Sequence, residues 1–116
     1  MTSRALAERV IDLAQDKKGQ QIVLMDISKL TTIADFFVIV SGDSSVQIKA
    51  IADHITDELL NEGIRLYHKE GYEYQNWILL DYSDVIVHIL KKDIRKYYAL
   101  EKLWADAKMS FITETV

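Results

Sequence analysis

Asp35-Phe36-Phe37-Val38-Ile39-Val40-Ser41-Gly42-Asp43-Ser44-Ser45 contains the change of period that decides the fold. Asp35 to Val40 is β-branched and aromatic, the composition of a buried strand. Ser41 to Ser44 is a turn. From Ser44 or Ser45 the apolar residues recur at helical spacing, as Ile48, Ile51, Ala52, Ile55 and Leu59, until Gly63 stops the helix. A strand, a long helix and further strand sequence favour a right-handed parallel crossover. The fold class is therefore α/β.

Upstream, Leu6, Val10, Leu13 and Ala14 mark an amphipathic helix from Ser3 to Lys18, with Ser3 as the expected N-cap. Ile22 to Ile27 is a nearly continuous apolar strand. Downstream, Ile64 to Tyr67 is expected as a short edge strand and His68 to Gln75 as a polar loop. Asn76 to Asp81 and Asp84 to Leu90 form a hairpin across Asp81-Tyr82-Ser83-Asp84. A last helix is expected from Asp93 to Asp106. The reading is one domain over 1–107, with a mixed sheet packed by helices. Residues 108–116 carry weak signals and are expected as a mobile tail.

Composition narrows the function. The chain has 116 residues, 49% of them hydrophobic and 28% charged, which suits one globular domain. With 14 basic and 18 acidic side chains it is a poor ligand for naked nucleic acid. It has no cysteine, which excludes disulfides, thiolate chemistry and iron–sulfur clusters. No apolar run reaches the roughly 18 residues of a membrane span, and the start lacks a signal-peptide core. A soluble cytoplasmic protein is expected, with no membrane contact.

Few residues point to chemistry. Asp43, Asp81 and Asp84 suggest Mg²⁺ or acid–base work, but each lies in a turn, where Asp is common. Asp81 and Asp84 are three apart across that turn, which does not suit a shared strand face. Gly42-Asp43-Ser44-Ser45 is either a phosphate cradle or an ordinary helix cap. His54, His68 and His88 lack metal-ligand spacing. His88 lies among aliphatic residues, so it needs a hydrogen-bond partner or a surface to serve. Lys91, Lys92, Arg95 and Lys96 read as a solvated face or as a patch for ribosomal RNA. No catalytic residue, metal or cofactor is expected.

The hairpin carries the candidate site. Trp77 and Leu79 alternate on one face of a strand, Ile78 and Leu80 on the other, so both faces are apolar. Helices cover one face, and a partner is expected on the other. Trp77 and Leu79 supply apolar area, with Asp81 and Asp84 as a charged rim. Tyr82 and His88 belong to the same hairpin, while Tyr98 and Glu101 flank it from the last helix. Core packing claims Trp104 and one of Tyr97 and Tyr98.

Several of these stretches together resemble a known family. They are Ala34-Asp35-Phe36-Phe37-Val38-Ile39, Ser41-Gly42 with Ser44-Ser45, and Lys49-Ala50-Ile51-Ala52. Glu70-Gly71, Trp77-Ile78-Leu79-Leu80-Asp81 and Asp84-Val85-Ile86-Val87-His88 follow, then Arg95, Tyr98, Leu100-Glu101, Leu103-Trp104 and Asp106-Ala107. The pattern resembles the ribosomal silencing factor, or iojap, family over almost the whole chain. One departure is Ser83, where the family usually has glycine. The resemblance implies a fold similar to a minimal nucleotidyltransferase, without catalysis. It implies binding to the large ribosomal subunit through its fourteenth protein, which obstructs subunit joining and represses translation when nutrients are scarce. A role in large-subunit assembly is the first alternative, and a divergent nucleotidyltransferase the second. The same apolar strip leaves a homodimer of the free protein open.

Overall fold

All seven residues of the strand Phe36–Gly42 are buried, which places that strand at the centre of the sheet. The computed structural model describes residues 1–98, 102 and 105–112, and the side chains of Tyr97 and Tyr98 lie outside that description. The elements are α1 (Ser3–Asp16), β1 (Gln20–Asp26), β2 (Phe36–Gly42), α2 (Ser45–Asn61), β3 (His68–Glu70), β4 (Trp77–Asp81), β5 (Val85–Lys91), α3 (Lys92–Tyr98) and β6 (Lys108–Phe111). One mixed sheet of six strands has the order β3-β4-β5-β2-β1-β6. Among the described residues only β2 and β5 run parallel, and their connection contains α2, β3 and β4.

Both long helices lie on one face of the sheet. Leu6, Val10 and Leu13 of α1, with Ile48, Ile51, Ile55 and Leu59 of α2, pack on Leu24, Val38, Ile78, Leu80, Val87 and Ile89. These alternate along their strands, as a period of two requires. The other face carries Val23, Met25, Phe37, Ile39, Ile86 and Leu90, with Ile94 of α3 and Met109 of β6 packed against them. The helix starts follow the capping rule. Ser44 Oγ accepts from the Gln47 N–H at 3.1 Å. For α1 the cap is Thr2 rather than Ser3, its Oγ1 accepting from the Ala5 N–H at 3.1 Å.

Three elements differ from the sequence reading. Ile64 to Tyr67 is not a strand: Ile64 and Leu66 rest on the helix-side core while Arg65 and Tyr67 are exposed. Their alternation reflects one-sided packing of extended chain. The strand lies in the supposed loop, where His68, Lys69 and Glu70 pair with Asp81, Leu80 and Leu79. The expected tail opens with β6, which pairs antiparallel with β1 from Val23 to Asp26. Of the expected last helix, the described residues show α3 over Lys92–Tyr98 and Lys102 as helical. Leu100, Glu101, Leu103 and Trp104 lie outside them.

The hairpin turn explains the departure at Ser83. Asp81 Oδ1 accepts from the Ser83 N–H at 2.7 Å, and Ser83 takes φ 73°. That left-handed conformation costs a side-chain-bearing residue about 1 kcal/mol and glycine almost nothing. Here the Asp81 carboxylate holds the turn that glycine would otherwise adopt unaided.

Candidate functional site

Antiparallel pairing sets the face away from α1 and α2. Leu79 sits opposite His88 on β5 and opposite Glu70 on β3; Asp81 sits opposite Ile86 and His68. Opposed residues share a face, so Trp77, Leu79, Asp81, His88, His68 and Glu70 form one surface. Trp77 and Leu79 are half-buried, resting on the second core cluster with part of each side chain open.

His88 is the support beneath Trp77. It is 6% exposed, and its Nδ1 accepts the Trp77 Nε1–H at 3.2 Å. The Phe37 ring meets it edge-on, at 4.9 Å between centroids. With Nδ1 accepting, the proton of the neutral ring resides on Nε2, which is buried and has no partner among the described residues. The expectation that His88 needs a partner is met through Trp77.

Burial pushes the His88 pKa down from 6.5 to about 4. The folded chain keeps the ring neutral where the unfolded chain would protonate it. Between pH 6.5 and pH 4 the unfolded state therefore binds more protons, and stability falls as the pH falls. The contribution is complete above pH 6.5 and amounts to about 3 kcal/mol when lost. His88→Gln retains an acceptor for Trp77 and is expected to flatten this slope. Urea unfolding at pH 7 and pH 4.5 measures it, and equal slopes in the variant and the wild type would refute the assignment.

The carboxylates divide between two ends of the sheet. Asp81 and Asp84 flank the start of β5, and Asp43 follows the end of the parallel strand β2. They do not converge, and among the described residues no three His, Asp or Glu side chains gather as a metal site. Asp43 pairs with Lys92 at 2.9 Å. The hydrogen bond and charge of Lys92 hold the Asp43 pKa below its usual value. The Gly42-to-Ser45 turn acts as a cap: the Asp43 N–H donates to Gln47 Oε1 at 2.6 Å, beside the Ser44–Gln47 bond. The other histidines take local carboxylates, His54 with Asp16 and His68 with Glu70.

Two residues sit elsewhere than the sequence suggests. Tyr82 is 7% exposed in the helix-side core, on the face opposite Trp77. Burial pushes its hydroxyl pKa up to about 12. The turn swings its ring inward, so Tyr82 is not brought together with Trp77 and Leu79. Arg95 is not part of a solvated basic face. It is 8% exposed, and its Nη1 donates to Ser41 Oγ at 2.8 Å and to the Gln21 carbonyl. It fastens α3 to β1 and β2. Glu101 and the side chain of Tyr98 lie outside the described residues. Sequence reading missed Glu70 as a neighbour of Leu79, because its segment has no alternation to mark it as a strand.

The face thus carries Trp77 and Leu79, both half-buried, with Glu70 and Asp81 beside them. Comparison with known proteins finds relatives along nearly the whole chain. The family model described as "Ribosomal silencing factor during starvation" matches residues 1–115. A Ribosomal silencing factor RsfS of Halalkalibacterium halodurans is 41% identical over 107 residues, covering 92% of each chain. The crystal structure of a Chromobacterium violaceum protein superposes with a TM-score of 0.88 at 34% identity, covering 99% of this chain and 97% of that one. A more distant mouse relative, Mitochondrial assembly of ribosomal large subunit protein 1, is 25% identical over 100 residues, 84% of this chain and 44% of that protein. The match of the family model across nearly every residue, with relatives above 30% identity and a shared fold, makes this chain a member of the ribosomal silencing factor family.

Proposed function

We propose that this protein silences translation by occupying the large ribosomal subunit. The Trp77–Leu79 face would dock on the fourteenth protein of that subunit and keep the small subunit from joining. The observation that carries the reading is an acid-rimmed, half-buried aromatic patch on a chain that belongs to this family throughout its length. Ribosomal proteins are basic, and Glu70, Asp81 and Asp84 complement such a partner in charge. The mechanism needs no chemistry, only occupancy of a surface that joining requires.

Sedimentation through a sucrose gradient with purified subunits tests the partner. The protein is expected to travel with the large subunit and to be absent from the small one. Equal association with both would refute the proposal. A second reading, a role in large-subunit assembly, is favoured by the name of the mouse relative. The two separate on mature subunits: a silencing protein lowers their joining when added, whereas an assembly factor leaves it unchanged.

A further inference from the structure

The two parallel strands send their chains to opposite faces. After β2 the chain enters α2, which packs on the helix-side core; after β5 it enters α3, whose Ile94 packs on the other face. Where neighbouring parallel strands diverge in this way, a crevice opens outside their carboxyl ends, and open α/β sheets take their ligands there. This protein has a cavity of about 660 Å³ beside that point, within the range of small-molecule sites.

Its lining is unusual for a chain of net charge −4. Lys92, Arg95, Lys96 and Lys102 converge on it, together with Gln21, Phe111 and aliphatic side chains of β1. Among the described residues that line it there is no carboxylate, although Asp43 pairs with Lys92 nearby. Arg95 is fixed by its bonds to Ser41 and Gln21, so its charge is a permanent part of the wall. Lys96 and Lys102 are exposed and make no ion pair among the described residues. Lys92 is shared with Asp43, so Lys96 and Lys102 are the two cations without an ion pair among the described residues, and a polyanion between them relieves their mutual repulsion. Phe111 is 73% exposed, a large aromatic surface beside the cations. An aromatic face next to paired cations suits a nucleobase joined to phosphates.

We propose that this crevice binds a free nucleoside triphosphate, its phosphates against Lys92, Lys96 and Lys102 over the Arg95 wall and its base against Phe111. The volume suits one nucleotide, and the net negative charge opposes a nucleic-acid strand. The described lining shares no residue with the Trp77–Leu79 patch, and the proposal does not depend on how that patch is used. No bond is made or broken.

Isothermal titration calorimetry of the whole chain with ATP, GTP, inorganic triphosphate and a short single-stranded RNA tests it. At least one nucleotide is expected to bind at sub-millimolar concentration. The Lys96→Ala/Lys102→Ala variant is expected to bind it about tenfold or more weakly, with an unchanged melting temperature. Phe111→Ala and inorganic triphosphate are each expected to bind about fivefold or more weakly than the wild type with nucleotide. No heat up to millimolar nucleotide, or undiminished binding by the double lysine variant, would overturn the site. Inorganic triphosphate binding as tightly as nucleotide would overturn the nucleoside assignment. Tighter binding of the RNA would overturn a free nucleotide as the ligand.

Discussion

Trp77→Ala is expected to stay folded and to lose about thirtyfold or more of its association with the large subunit. A buried aromatic anchor at the centre of an interface contributes about 2 kcal/mol or more, which is that factor. The variant also loses stability, because Trp77 is half-buried and donates to His88 Nδ1 at 3.2 Å. Complete burial would make the truncation cost about 3–5 kcal/mol, so about 2 kcal/mol is expected here. That lowers the melting temperature by roughly 8 °C, and the fold survives. Asp84→Lys separates charge from packing. The Asp84 side chain is exposed and its backbone carbonyl accepts from Asp35 and Phe36, which the substitution leaves intact. It is a cleaner probe than Asp81→Lys, since Asp81 also closes the turn. Asp84→Lys is expected to weaken association at low ionic strength, less so at high salt, with little change in melting temperature. Folded Trp77→Ala that sediments with the large subunit as the wild type does would remove this face from the interface.

Gly71→Ala is expected to be the most destabilising single-methyl change in the protein. Gly71 has φ 76°, and a Cβ built there would lie 2.0 Å from the Trp77 carbonyl oxygen. The backbone at the start of β4 can approach this closely only because residue 71 has no side chain. Left-handed strain alone accounts for about 1 kcal/mol. The clash with backbone adds more, because β4 must move while paired on both sides. A total of about 3 kcal/mol or more is expected. Gly63→Ala is the matched control: φ is 82°, but nothing lies within 4 Å of the added Cβ. It should cost about 1 kcal/mol, so the two melting temperatures should differ by about 8 °C or more. Equal losses would show that the close approach to Trp77 is not tight in solution. Since the displaced group is the Trp77 backbone, Gly71→Ala should also weaken large-subunit binding while Gly63→Ala leaves it intact.

Strong local signals made much of this fold legible in the sequence. Ile48, Ile51, Ile55 and Leu59 declare α2, and Ser44 declares its start, because helix period and capping are properties of a few neighbouring residues. The run from Phe36 to Val40 declares a buried strand for the same reason, and the acidic turn with its flanking apolar runs declares the hairpin. Family membership was likewise legible, since it rests on side chains in order. The short strands were not. His68–Glu70 is polar and exposed throughout, and it is a strand only because β4 presents it with hydrogen-bonding partners. Lys108–Phe111 depends on β1 in the same way. Sidedness was the other gap. Trp77 and Leu79 alternate with Ile78 and Leu80, all apolar, so the strand itself does not say which pair meets the helices. Packing decides it: α1 and α2 settle together on Ile78 and Leu80, leaving Trp77 and Leu79 half-open. The inward turn of Tyr82 and the burial of Arg95 between α3 and two distant strands also come from assembly. Each depends on groups far apart in the chain, and no local pattern encodes a contact whose partner is chosen by the fold.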